Sequence, residues 1–280
     1  MTPPPKTLLL VEDDAAVRQF VAMALEDEPM RLQACASLAS ARAWIEAAAH
    51  APDAVLLDLM LPDGSGVQLL DDAALRARWP ATAWVLFSAG RAAEWLNDAA
   101  AMRRRGVVAV LEKPVSLSRL LQVVRAACAS AAPAVAGLPV KASGGVVVNA
   151  PPDAGIPDSV DDLDGSDAAA ADAVARYFEG QAPLFEQMRA FSGPLMRREL
   201  AELSALAMAL SGSPLAKADD WAEARRLAHS MKTVLAMMGF PTASQEARQA
   251  ELCAELQRAA GLVDACSALT KAAGRWPPAA

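Results

Sequence analysis

The sequence has 280 residues, is 54% hydrophobic and carries a formal net charge of −7. That length suits about two domains, and the composition suits packed globular domains and not a disordered chain. The acidic balance gives no support for the clustered basic surface that nucleic-acid binding needs. The cysteines Cys35, Cys128, Cys253 and Cys266 form no CxxC pair and none lies near a histidine at metal-ligand spacing, which predicts reduced, mostly buried thiols. The first apolar run, Leu8 to Val11, is cut by Glu12, and no later run approaches the roughly 20 apolar residues of a membrane span. A cytoplasmic protein with no membrane or nucleic-acid partner is therefore expected.

Residues 7 to 130 alternate short apolar runs with amphipathic stretches. Strands are predicted at Thr7–Val11, Arg31–Cys35, Ala54–Asp58, Ala83–Ser88 and Val107–Leu111, and helices near 15–26, 38–50, 66–78, 92–102 and 116–130. Strands separated by helices imply right-handed crossovers and a parallel sheet covered on both faces. The central runs AVLLD and AWVLFS are almost wholly apolar, as doubly buried strands are. The predicted fold is a doubly wound α/β domain of five parallel strands over residues 1–130.

Residues 131–167 break the pattern. Between Pro151 and Asp167 lie six aspartates and no Lys or Arg, and nothing there can bury enough surface to order itself, so the stretch reads as a flexible, solvated linker. Residues 168–280 read as helix throughout, with breaks at Gly180, at Ser192-Gly193-Pro194, at Ser211-Gly212-Ser213-Pro214 and at Gly239–Pro241. Several antiparallel helices joined by short turns predict an all-α bundle.

The first strand ends in VEDD and the third in LLDLMLPDGSG. In an open parallel sheet, ligands bind beyond the carboxyl ends of the strands where the strand order reverses, and carboxylates converging there offer the oxygen ligands that Mg²⁺ takes. A carboxylate at that point can also attack a phosphoryl group, provided that the equatorial oxygens are neutralised. Ser88 closes the fourth strand with a hydroxyl, and Lys113 follows the fifth, where Lys-Pro permits a cis bond. Taken singly these are weak signals: Glu12, Asp13 or Asp14 is equally a helix cap, and Asp58 or Ser88 a turn residue. Together, four strand ends in order carry the groups that one chemistry requires.

On these motifs residues 6–130 resemble the response-regulator receiver family, whose fold is flavodoxin-like. The resemblance implies that Asp58 is the phosphoacceptor, Ser88 the switch hydroxyl and Lys113 the phosphate-pairing lysine. Arg18 follows Asp13 by five residues, as the family's helix-one basic residue follows its metal-binding Asp. That register implies Glu12 and Asp13 as the metal pair, Asp14 as the cap, and Asp58 with the Met60 carbonyl completing a Mg²⁺ site. Val110 stands where the family has an aromatic switch residue, so its inward rotation cannot occur in that form.

The sequence has two histidines. His50 ends a helix beside Pro52 and is expected to be exposed. His229, in WAEARRLAHSMKTVLAMMGF, falls opposite the stripe of Leu227, Met231, Val234, Leu235 and Met238, and is also expected to be exposed. Arg225, Arg226, Lys232 and Thr233 lie at helical-neighbour spacings, and Ala236 and Gly239 are read as adding little bulk nearby. From spacing alone this is either a basic solvated face or an imidazole nucleophile beside phosphate-holding cations. AHSMKTVLAMMG resembles the histidine phosphotransfer motif, with His229, Lys232 and Gly239 matching its His, Lys and Gly. The resemblance covers roughly 168–275, with helices expected at Pro194–Leu210 before the motif and Ala243–Arg258 after it, and it implies that His229 is a second phosphoacceptor. Thr233 replaces a small Gly and is expected to stand beside the imidazole.

The two resemblances imply a phosphorelay protein. Its partners would be a histidine kinase and the receiver domains of other two-component proteins, and no substrate beyond phosphodonors is implied. Asp58 would be phosphorylated in a self-catalysed step, since no ATP-binding module is visible. The rival function is a phosphorylation-controlled interaction module whose helical domain transfers nothing. A DNA-binding regulator would need a basic recognition helix, and residues 168–280 offer only scattered arginines.

Overall fold

The computed structural model describes residues 5–88, 99–129, 147–148, 164–212 and 217–275. The chain divides into two compact units, Met1–Pro151 and Pro152–Ala280. Most of the expected linker, residues 92–98 of the expected 92–102 helix, and 213–214 of the expected break lie outside the described residues.

In the first unit, β1 (Lys6–Val11), β2 (Met30–Cys35), β3 (Ala54–Asp58), β6 (Ala83–Ser88) and β7 (Val107–Glu112) pair in parallel in the order β2-β1-β3-β6-β7. β3 and β6 are buried along their whole length, as their unbroken apolar sequences require. Helix α1 (Ala15–Ala24) buries Ala16, Val17, Phe20, Val21 and Ala24, one face at helical spacing. Together with α6 (Leu117–Ala129) it covers one side of the sheet. The other side packs Leu9, Val11, Val55, Leu57, Leu86 and Val110 against α2 (Leu38–Ala47), α4 (Ala73–Arg78) and Met102 of α5 (Ala99–Arg104).

Three features depart from expectation. The segment after β3 first forms a small hairpin, β4 (Met60–Leu61) with β5 (Gly64–Ser65). The helix expected at 66–78 is then two pieces, α3 (Val67–Leu70) and α4, because the Asp72 side chain accepts the Leu75 amide and starts a new helix. Val147–Val148, inside the expected linker, form β8, a sixth parallel strand beside β7.

The second unit has five helices among the described residues: α7 (Asp167–Phe178), α8 (Ala182–Gly212), α9 (Ala218–Met237), α10 (Pro241–Glu255) and α11 (Ala259–Ala272). Helices α8 to α11 pack in a closed ring, each on the next, and α7 lies against α8 and α9. The break expected at Ser192-Gly193-Pro194 does not occur, and Pro194 lies inside α8. The buried residues Phe185, Met188, Ser192, Met196, Leu203, Ala207 and Leu210 recur at helical spacings of three, four or seven residues straight through the proline. Burial of that continuous face outweighs a local cost of about 3 kcal/mol for an interior proline.

The described part of this unit starts earlier than Ala168. Asp164, expected as a solvated linker acid, is buried and accepts the Thr242 and Ala243 amides at 2.9 and 2.7 Å, capping α10 from a distance in sequence. Asp164→Ala should therefore lower stability by about 1–2 kcal/mol, read as an earlier thermal midpoint for the helical unit.

Candidate functional site

The strand order reverses between β1 and β3, and the first site lies at their carboxyl ends. Glu12 follows β1, Asp58 ends β3, and Lys113 follows β7. Lys113 Nζ donates to Glu12 Oε2 at 2.6 Å and to Asp58 Oδ2 at 2.5 Å, with all three side chains at most 3% exposed. The ammonium also lies 4.7 Å from the centre of the Phe87 ring, over the preceding strand. The Lys113 amide donates to the Ser88 carbonyl at 2.8 Å, which ties the ends of β6 and β7 together, and Lys113-Pro114 is cis.

Local chemistry fixes each acid. Asp14 caps α1 by accepting the Ala16 and Val17 amides at 2.7 and 3.1 Å. Arg18 reaches back past the start of α1 and donates to the Glu12 carbonyl at 2.8 Å. The Met60 amide donates to Asp58 Oδ1 at 2.9 Å. Carboxylate oxygens of Glu12, Asp13 and Asp58 lie within 4.8 Å of one another.

This group holds three carboxylates against one ammonium. Burial pushes the Glu12 carboxyl well up, Lys113 opposes that, and the Asp58 and Asp14 charges add to it. Burial pulls the Lys113 ammonium down, but the Asp58 and Glu12 charges and hydrogen bonds carry it above its ordinary value. The cluster is thus short of positive charge, and its donors are the hard oxygens that Mg²⁺ takes.

One residue here carries no obvious signal in its own identity. At Gly66, a Cβ would stand 2.1 Å from the Asp58 carbonyl oxygen. Only glycine lets the hairpin fold back over Asp58 and close with the Gly66 amide on the Leu59 carbonyl at 3.1 Å. The GSG run was its trace in the sequence.

The second site corrects the sequence reading in three respects. His229 was expected to be exposed but is buried, at 9% exposure. Helix α9 is contacted by α7, α8 and α10, so little of its circumference is left to solvent. Gly239 was expected near the imidazole. Ten residues on, it lies roughly 15 Å along the helix axis, at φ +81°, and a Cβ there would meet the Ala169 carbonyl at 2.8 Å. Its role is to end α9 and admit the start of α7. Thr233 is buried at 3% and packs inward, so it does not stand as an exposed neighbour of the ring.

The residue that sequence reasoning missed is Glu251 on α10. His229 Nδ1 lies 2.7 Å from Glu251 Oε1, and Lys232 Nζ donates to Oε2 of the same carboxylate at 2.6 Å. A buried stripe of Ala243, Ala247, Ala250 and Ala254 lets α10 approach α9 this closely, and Ser244 Oγ donates to the Lys232 carbonyl at 2.8 Å to set the register. An acid beside an alanine stripe was the available signal. A carboxylate only accepts, so a neutral imidazole here carries its proton on Nδ1 and its lone pair on Nε2. Nε2 is buried and has no hydrogen-bond partner among the described residues.

Burial alone would raise the Glu251 carboxyl, but the hydrogen bond and charge of His229, and then those of Lys232, hold it down at about 2 against an ordinary 4.5. A depressed carboxyl contributes stability that is complete above the unfolded value and lost as pH falls toward the folded one. Between roughly pH 6 and pH 3, wild-type protein should therefore lose on the order of 1–2 kcal/mol more than Glu251→Gln, measured by urea unfolding followed by circular dichroism.

Comparison with known proteins agrees with this two-part architecture. Residues 8–125 match the response regulator receiver domain and residues 195–276 the Hpt domain. The chain is 38% identical over 120 residues to the KDP operon transcriptional regulatory protein KdpE of Escherichia coli (strain K12), covering 43% of this chain and 50% of that protein. It is 34% identical over 122 residues to the probable transcriptional regulatory protein TcrX of Mycobacterium tuberculosis, covering 44% and 49%. The chain thus spans about half the length of these curated relatives. Among solved structures, the receiver domain of NtrX from Brucella abortus is 30% identical and covers 44% of this chain and 98% of that one, with a TM-score of 0.37. The chain is a receiver domain fused to an Hpt domain. Among its described residues no helix is long and apolar enough to cross a membrane.

Proposed function

We propose that the receiver domain accepts a phosphoryl group on Asp58 and that the helical domain carries one on His229. The observation that supports this most is the buried Glu12–Lys113–Asp58 cluster at the strand switch point, with its deficit of positive charge. An Asp58 carboxylate oxygen attacks phosphorus, a P–O bond forms, and the bond from phosphorus to the donor breaks. The leaving group is an imidazole when the donor is a kinase phosphohistidine and acetate when it is acetyl phosphate. The Lys113 ammonium, already 2.5 Å from Asp58 Oδ2, pairs with a phosphoryl oxygen, and Ser88 at the end of β6 supplies a further donor.

Glu12, Asp13, Asp58 and the Met60 carbonyl are the residues that would hold Mg²⁺. The ion would supply charge neutralisation on the phosphoryl oxygens. In the helical domain, Glu251 fixes the Nδ1–H tautomer and leaves Nε2 as the nucleophile, while Lys232 keeps the Glu251 carboxylate in place. Nε2 attacks phosphorus, an N–P bond forms, and an aspartyl phosphate of a receiver is released as carboxylate. The partners that fit are a histidine kinase and receiver domains of two-component proteins, in the cytoplasm. Neither nucleic acid nor a membrane is needed.

The test is incubation of the full chain with acetyl phosphate and Mg²⁺, read on a phosphate-sensitive gel. Label should appear with Mg²⁺, fall at least tenfold with EDTA, by the order of several kcal/mol that charge neutralisation supplies, and vanish in Asp58→Asn. Label that ignores chelation and survives Asp58→Asn overturns the receiver assignment.

A further inference from the structure

We propose that Arg225, and not Lys232, is the cation that holds the phosphoryl group on His229, an inference that rests on the reading of His229 as a phosphoacceptor. Helix α9 presents Arg225, His229 and Lys232 toward α10, which answers with Glu255 and Glu251. The pairings differ in strength. Lys232 is held at 2.6 Å on a carboxylate that is itself 13% exposed. Arg225 reaches Glu255 only at 3.6 Å, with the two side chains 26% and 37% exposed. A loose, part-exposed pair contributes little and exchanges readily. Arg225 Nε is moreover buried and has no hydrogen-bond partner among the described residues. Arg226, the other arginine nearby, is committed at 2.8 and 2.7 Å to both oxygens of Glu223 on its own helix.

Direction separates the two candidate cations as well. Glu251 holds His229 by its Nδ1 edge and Lys232 by the other oxygen of the same carboxylate. Nε2 lies on the opposite edge of an imidazole, so it points away from that carboxylate and from the ammonium bound to it. Side chains on a helix lean toward its N-terminus, and residues four apart share a face. His229 therefore leans toward the turn that carries Arg225. A phosphoryl group on Nε2 brings close to two negative charges to the side where a guanidinium is loosely held and has an unused donor. Arg225 then exchanges the Glu255 carboxylate for phosphoryl oxygens, which suit its planar fork. Lys232 acts through Glu251, as a positioning residue.

The full chain carrying Asp58→Asn isolates this site, and phosphoramidate serves as the donor. His229 Nε2 attacks phosphorus, the N–P bond forms, the donor P–N bond breaks, and ammonia leaves. The positive charge left on the ring is shared through Nδ1–H with Glu251. Adding Arg225→Ala should slow label formation by roughly tenfold or more, the worth of one charge-assisted hydrogen bond. Arg225→Lys should recover part of that rate, while Lys232→Ala should cost less than Arg225→Ala. Unchanged melting curves and an unchanged Nδ1–H tautomer by nitrogen-15 NMR separate this role from a structural one. Label that persists in His229→Gln, or never forms in its parent, removes the phosphoacceptor reading and this inference with it. His229-dependent label that is indifferent to Arg225 and collapses in Lys232→Ala overturns this inference alone.

Discussion

Lys113→Ala is expected to destabilise the receiver unit by about 3–5 kcal/mol, the cost of stripping the partner from a buried charge. The ammonium is 3% exposed and is hydrogen-bonded to Glu12 and Asp58 on two different strand ends. Without it, three carboxylates with oxygens within 4.8 Å of one another lose the ammonium that bridges Glu12 and Asp58. The loss should be partly reversed by two independent routes. Millimolar Mg²⁺ should restore stability by binding the folded state alone. Mild acid should do the same, because burial has already pushed the Glu12 carboxyl up and it takes a proton readily. Chemical unfolding with and without Mg²⁺, at neutral and mildly acidic pH, measures both. A variant whose stability matches wild type under all conditions would show that the cluster is not held together by charge.

Glu251→Ala should lower phosphoryl transfer to His229 on the order of 100-fold, the scale of losing a positioned acid–base partner. Without the carboxylate nothing pins the proton to Nδ1, and a ring protonated on Nε2 has no lone pair to offer at that nitrogen. Lys232 also loses Oε2 of the same group, so the cation is freed together with the ring. Glu251→Gln should fall between wild type and alanine. Its amide oxygen can accept from Nδ1–H, but its amide nitrogen can also donate and favour the wrong tautomer. Single-turnover labelling of the Asp58→Asn chain with phosphoramidate, run on all three proteins, gives the ranking. Equal rates would remove Glu251 from the chemistry.

The two sites differ in how much of them the sequence disclosed, and the difference is physical. At the first site each participant ends a strand, and strands declare themselves locally through short apolar runs. Glu12, Asp58, Ser88 and Lys113 could therefore be ordered before their convergence was seen. The second site depends on which helix face packs on which neighbour. The apolar stripe on α9 correctly located Leu227, Met231, Val234 and Leu235 in the core. It could not reveal that three other helices surround α9, and so placed His229 in solvent. Glu251 is 22 residues away on another helix. It becomes a partner only because small alanines bring α10 close.

Pro194 and Asp164 mislead for a related reason. Each follows a sound local rule, that proline opens a helix and that acids in a polar stretch are solvated. Each is overruled by tertiary context, a continuous buried face in one case and an uncapped helix start in the other. Val147–Val148 has the β-branched composition of a strand, but only the edge of β7 gives that pair a place to go.

The most direct test of the whole account uses four full-length proteins: wild type, Asp58→Asn, His229→Gln and the double variant. Each is exposed to acetyl phosphate and phosphoramidate, and the label is sorted by its chemistry, since an acyl phosphate is lost in base and a phosphohistidine is lost in acid. The account predicts both kinds of label on wild type, only the acid-labile kind on Asp58→Asn, only the base-labile kind on His229→Gln, and none on the double variant. Label of either kind remaining on the double variant would contradict it.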